Sequence, residues 1–325
     1  PPSLLELLDC VLSLIFGGFT WLQNFRMRKA TFLGLCAELA PTLRRTDTRL
    51  RAALSVEKRV AIAVWKLATP DSYRSVANQF GVGKSTVGIV VMQVCTAINR
   101  ILFRRTVTLG NVQDIVDGFA QMGFPNCGGA IDGTHIPILA PPHLTSEYIN
   151  RKGYFSMVLQ ALVDHRGRFT DIYTGWPGKV HDITVGDVEM PIVILGDPAY
   201  PLMPWLMKPY TGKLDRSKDR FNYRLSRCRM TVECAFGRLK GRWRSLYGKL
   251  HVLESSIPAI ITACCILHNI CEGKGETFSD EWASEVQRLE AEFAQPESRA
   301  NREAQHSASR IRDALKEHFE AESQQ

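Results

Sequence analysis

The sequence predicts an α/β protein in which a set of helices comes first and a strand-rich core with long helices follows. Two observations carry this expectation. Up to about residue 105, apolar residues recur at helical spacing between cap signals; beyond Cys127, short β-branched runs bounded by turn residues appear, followed by two long helical patterns. At 325 residues, two or three folding units are expected, and 45% hydrophobic residues are ample for their cores. The boundaries read as a helical segment at 1–50, a two-helix region at 51–105, a connector at 106–127, the core at 128–272 and a charged helical or disordered tail at 273–325.

Taken in order, Leu4 to Phe19 is apolar but interrupted by Glu6 and Asp9, with no basic residue before it. An amphipathic helix packed on the body is expected there, not a signal peptide or membrane span. A helix carrying Phe32, Leu35 and Leu39 is expected to end at Pro41, and another runs from Val56 to Leu67. Ser72 to Phe80, the break Gly81-Val82-Gly83 and a helix from Lys84 to about Phe103 then form a helix-turn-helix pattern, whose second helix meets DNA with its first residues. Arg74, Lys84, Ser85 and Thr86 would make that contact. A plain helical hairpin capped by Gly81 and Ser85 fits the same residues. A P-loop does not, because Asn78 stands where its first glycine belongs.

Val112 to Gln121 reads as one helix of the connector. Gly128 to Leu139 is an apolar strand interrupted by Asp132, and burying a lone carboxylate costs several kcal/mol unless something pairs with it. Metal coordination is one such arrangement; a strand-end Asp capping a turn is the other. Phe155 to Val163 and Arg168 to Gly175 are strands joined by the turn Asp164-His165-Arg166-Gly167. Pro191 to Leu195 is a further strand that runs out on Gly196-Asp197-Pro198, the end that ligand sites favour. In the long helical pattern that follows, Leu225, Val232, Phe236, Leu239 and Trp243 share a face with Glu233 at its edge. Two strand acids and one helix acid suit Mg²⁺ or Mn²⁺, a pair of which can clamp both oxygens of a phosphodiester displacement. Asp171 and Asp182 rank below these three.

Charge points the same way. The net charge is +7, and from Trp205 to Lys249 thirteen Lys or Arg face only Asp215, Asp219 and Glu233, which favours a polyanionic partner. Nine cysteines without a Cys-x-x-Cys pair imply reduced thiols in cytosol or nucleus. Cys265, His268 and Cys271 lie along one face of the apolar helix expected at 257–271, where core packing accounts for them better than zinc.

The stretches Ile131-Asp132-Gly133-Thr134-His135, Gly196-Asp197-Pro198-Ala199-Tyr200-Pro201 with Trp205-Leu206-Met207, and Glu233 to Lys240 with Arg242-Trp243-Arg244 together resemble the PIF/Harbinger transposases and nucleases derived from them. The resemblance runs from about Trp21 to Glu272. It implies an RNase H-like mixed sheet as the catalytic core, preceded by the all-α helix-turn-helix region. It also implies Asp132, Asp197 and Glu233 as a DDE triad holding two Mg²⁺ or Mn²⁺ ions, and DNA as substrate in the nucleus alongside a Myb/SANT-like partner protein. A homo-oligomer is compatible with this. Arg229, Arg238, Lys240, Arg242 and Arg244 would then lie on DNA, with His135 and His181 close to the metals.

One departure stands out. Only nine residues, 183 to 191, separate Asp182 from Ile192, too few for the crossover helix that such a core carries. The expected consequence is an incompletely covered sheet face with Val193, Leu195 and Leu159 partly exposed, the segment Leu4 to Phe19 as its cover, and lowered stability and activity. Two functions therefore remain open: a metal-dependent nuclease, or a domesticated copy that binds DNA or protein and cuts nothing.

Overall fold

The computed structural model describes residues 21–47, 49, 52–140, 148–172, 183–185, 188–290, 293–296, 300, 301, 303 and 305–322. The expected segment Leu4 to Phe19, as well as His181 and Asp182, lies outside them. The elements in chain order are α1 (Trp21–Phe25), α2 (Lys29–Leu43), α3 (Val56–Ala68), α4 (Tyr73–Phe80), α5 (Lys84–Thr106), α6 (Val112–Gln121), β1 (Cys127–Pro137), β2 (Ser156–Val163), β3 (Phe169–Ile172), β4 (Ile183–Val185), β5 (Val188–Met190), β6 (Val193–Leu195) and β7 (Leu206–Met207). Then follow α7 (Arg216–Arg242), α8 (Ile257–Gly273), α9 (Asp280–Glu290) and α10 (His306–Ala321).

The chain forms two compact units. The first is helical and comprises residues up to 106, 137–144 and 239–289. Its helices begin where the sequence supplies caps: the Ser55 hydroxyl accepts from the Lys58 amide (3.2 Å) and Ser72 from Ser75 (3.1 Å). Gly81, at φ 60°, ends α4 in the left-handed conformation, and the Val82 amide closes back on the Ala77 carbonyl (3.0 Å). Two residues later α5 opens at Lys84. Its apolar length packs against α8, where Cys264, Cys265, Ile266, Leu267 and His268 are all buried, so the Cys/His stripe of α8 is core. One boundary differs from expectation: α2 passes Pro41 and ends at Leu43, since a proline in a last turn removes only one helical hydrogen bond.

The second unit, 107–136, 145–238 and 290 onward, contains a five-stranded sheet in the order β3-β2-β1-β6-β7. β2 and β3 are antiparallel, whereas β6 runs parallel to both β1 and β7. Asp164 organises the β2–β3 turn: its Oδ1 accepts from the amides of Arg166 and Arg168 (both 2.9 Å), its Oδ2 from the Arg168 guanidinium (2.8 Å), and Gly167 takes φ 76°. This mixed sheet, with the parallel strand β6 entering beside β1, is the RNase H-like α/β fold that the sequence predicts.

No helix occurs among the described residues between β3 and β6; β4 and β5 pair there as a small antiparallel hairpin. The expected exposure of Val193, Leu195 and Leu159 does not follow. Val193 and Leu195 are fully buried and Leu159 nearly so. Val193 and Leu195 are covered by α6, α7 and the C-terminal helix α10, whose Ala308, Ile311, Leu315 and Phe319 share one cluster with them and with Phe119, Phe124, Phe221 and Leu225. The tail expected to be solvated thus ends in a packed helix. Successive strand residues point to opposite faces, and Val193 and Leu195 point to the helix-covered one. The other face carries Val158, 50% exposed, with Leu162 and Ile194 half-buried.

Gly118 in α6 exists because of the β2–β3 turn. A Cβ there would lie 2.2 Å from the His165 ring, which packs edge-on against Phe119. Gly118→Ala is expected to lower stability by about 1–3 kcal/mol through overpacking, read as a shifted denaturant midpoint. An unchanged midpoint would show that the His165 ring is free to leave.

Candidate acid site at the ends of the paired strands

β1 and β6 pair in parallel with Ala130 opposite Leu195, which brings Asp132, inside β1, to the level of Asp197, two residues past the end of β6. This follows from sequence: apolar residues hold both strands in the sheet, Asp132 interrupts the buried run of β1, and Asp197 begins the loop after β6. Asp197 is 7% exposed and its Oδ1 accepts from the Ala199 amide (2.9 Å), which turns the chain through Pro198. Behind that turn sits Tyr200. Its hydroxyl accepts from Gln160 Nε2 (3.0 Å), and burial pushes it up to about 12. A Cβ on Gly196 would stand 3.0 Å from the Tyr200 ring, so glycine is what lets this loop fold under Asp197.

The third acid arrives on α7. Phe221, Leu225, Cys228, Val232 and Ala235 are buried, and their helical spacing sets Arg229 and Glu233 one turn apart on the adjoining side. Arg229 Nη2 donates to Asp132 Oδ2 (2.7 Å) and to Glu233 Oε1 (2.9 Å). Because both bonds end on one nitrogen, the two carboxylate oxygens lie within about 6 Å of each other, a gap that two ions roughly 4 Å apart could bridge. Burial raises the Asp132 pKa, as does the nearby Asp197 carboxylate, while Arg229 and the Gly133 amide oppose the rise. Among the described residues, no group of three His, Cys, Asp or Glu forms a ready-made metal cage. Chemically the donor set is hard oxygen, suited to Mg²⁺ or Mn²⁺, and a protein cation already stands between two of its members.

The other expected site residues divide. His135 does not join the acids: its Nδ1 lies 2.8 Å from the Ser156 hydroxyl on β2, and strand alternation sends it to the face opposite Asp132. Its backbone is held by Gln295, whose Oε1 accepts from the His135 amide (2.7 Å) and whose Nε2 donates to the His135 carbonyl (3.4 Å). Arg74 is exposed in the first turn of α4, Lys84 and Ser85 are exposed at the start of α5, and Thr86 is half-buried. Arg229 faces the acids and Arg238 is half-buried.

Lys240, Arg242 and Arg244 correct the expectation of a DNA-facing run. Lys240 is 2% exposed and lies over the Tyr247 ring. Arg242 is fully buried, donates to the carbonyls of Arg26, Glu276 and Thr277 and pairs with Glu272 and Glu276. Arg244 is paired with Glu285. Lys240 and Arg242 thus belong to the packing of the helical unit and present no charge to a duplex, while the half-buried Arg244 is engaged by Glu285.

Comparison with known proteins now bears on this arrangement. Residues 131–269, which include all three acids, match the family model of the DDE superfamily endonuclease. The protein named antagonist of like heterochromatin protein 1 from Arabidopsis thaliana is 33% identical over 79% of this chain and 74% of its own length. A protein of the same plant named ALP1-like is 30% identical over 79% and 72%, and the human protein named Putative nuclease HARBI1 is 27% identical over 86% and 88%. The chain belongs to the DDE endonuclease superfamily. No solved structure matches it. Within this family its relatives are Harbinger transposase-derived proteins, as the sequence resemblance implies.

The bridging position of Arg229 and the contacts of Tyr200 and Gln295 are not apparent from the sequence of this DDE-superfamily member. Arg229 and Glu233 are four apart on one helix, a spacing that signals an ion pair; Gln295 gives no comparable signal.

Proposed function

We propose that this chain is a divalent-metal-dependent DNA endonuclease with Asp132, Asp197 and Glu233 as its metal-holding acids. The observation that carries the reading is the meeting of Asp132 and Glu233 on one positive nitrogen beside Asp197: the residues fit a cation because they already hold one. Bound Mg²⁺ or Mn²⁺, two ions in the full site, supplies a nucleophilic oxygen at neutral pH and neutralises charge on the phosphate. The chain's own part is to fix the acids: two on paired strands, one on a helix locked by its buried face. Tyr200 and Gln160 hold the loop of Asp197 from behind.

DNA is expected to approach through exposed cations. Arg74 at the start of α4 and Lys84, Ser85 and Thr86 at the start of α5 suit the backbone-contacting part of a helix-turn-helix. Replacing Arg74 and Lys84 by Ala should lessen the slope of log K against log salt by about 2, near 0.9 for each phosphate no longer neutralised. A slope that stays the same would place DNA elsewhere. The reading includes the nucleus as the compartment, a Myb/SANT-like partner and a homo-oligomer as the working assembly.

A second reading has its own support. The Arg229 bridge leaves a stable acid site without any metal, as a domesticated copy that only binds DNA or protein would need. The name of the first plant relative describes that protein as an antagonist of a heterochromatin protein, which agrees with a regulatory role. Incubating the chain with supercoiled DNA and Mg²⁺ separates the two: nicking that stops on chelation supports the nuclease, and intact DNA under binding conditions supports the other.

A further inference from the structure

We infer that Arg229 is a built-in competitor for the metal: it occupies the cation position between Asp132 and Glu233 and must be displaced for a divalent ion to enter. This rests on the assignment of those acids as metal-holding.

How the guanidinium is used supports the inference. Arginine ordinarily grips carboxylates through a planar fork of two nitrogens. In this chain Arg168 brings two nitrogens, Nε and Nη2, to the single oxygen Oδ2 of Asp164, each at 2.8 Å. Arg229 instead directs a single nitrogen, Nη2, to two different carboxylates, and its buried Nε has no acceptor among the described residues. It therefore acts as a point charge shared by two acids, which is what a metal ion does. Both Asp132 and Arg229 are largely shielded from water, 19% and 14% exposed, so two negative charges in this gap would repel strongly without the arginine. Glu233, 53% exposed, is the side from which the arginine can be released.

Two linked consequences follow. Without metal, Arg229 stabilises the site; with metal, it weakens apparent affinity by competition. Neutralising it should move these in opposite directions, which a purely structural residue would not do.

The test uses the full chain and Mn²⁺ alone, with binding measured by calorimetry and melting measured in chelator and in saturating Mn²⁺. Arg229→Met is expected to bind Mn²⁺ about tenfold more tightly, to melt lower in chelator and to gain more from Mn²⁺ than the unmodified chain. Arg229→Lys keeps the charge on a looser stem and should fall between the two; it also serves if the Met variant does not fold. If both variants bind Mn²⁺ with unchanged affinity while Asp132→Asn abolishes binding, the acids hold metal and the competition is disproved. If none of the chains binds Mn²⁺, the metal-holding assignment falls and the inference falls with it.

Discussion

Asp132→Asn is expected to fold and to bind DNA as well as the unmodified chain or better, yet to lose cleavage by at least about 10²–10³-fold, the scale on which one fixed electrostatic group acts. The fold survives because the new amide still offers Arg229 an acceptor oxygen, and Arg229 keeps Glu233. DNA affinity holds or rises because one negative charge leaves a site meant to receive a polyanion. Cleavage is lost because a neutral amide is a poor ligand for a hard divalent ion. Strand breaks counted on a plasmid, beside anisotropy on a labelled duplex, read both effects. Undiminished cutting by this variant would remove Asp132 from the chemistry.

Phe319→Ala is expected to cost about 3–5 kcal/mol, the range for a buried aromatic whose space cannot refill. Phe319 is fully buried and meets Phe124 and Phe221 with ring centroids 5.3 and 5.9 Å away, while the Arg224 guanidinium lies over its face at 4.4 Å. Since the same cluster contains Val193 and Leu195 on β6, the loss reaches the strand that leads into Asp197. Cleavage should fall along with the denaturant midpoint. A midpoint within about 0.5 kcal/mol of the unmodified chain, the range of surface substitutions, would mean that α10 does not close this core.

That helix shows where sequence reading stopped. Ala308, Ile311, Leu315 and Phe319 recur at helical spacing, so the buried stripe was legible, but it lies in a tail so charged that composition argued for a solvated segment. The parity of β6 was not legible. Three apolar residues, Val193 to Leu195, look alike on both faces, and only the partner helices decide which side is covered. Elements with local signals are legible: the left-handed cap at Gly81, the Asp164 turn and the helix Val112–Gln121 are each fixed by residues within a few positions. Lys240 and Arg242 failed for a phase reason. Counted as charge they join the basic run, but on α7 they lie among Leu239 and Trp243, which are both fully buried. The strand acids stand out because a carboxylate within or just after an apolar strand needs a partner. What the sequence did not supply was that partner: Arg229 carries the charge that links Asp132 to Glu233.

The most direct measurement is conversion of supercoiled plasmid to nicked and linear forms by the unmodified chain, in Mg²⁺ and in excess chelator, at a salt concentration where DNA binding is verified in parallel. The account predicts cleavage in Mg²⁺, none in chelator, and recovery when Mg²⁺ or Mn²⁺ is returned. Folded, DNA-bound protein that leaves the plasmid intact in Mg²⁺ and in Mn²⁺ would contradict it.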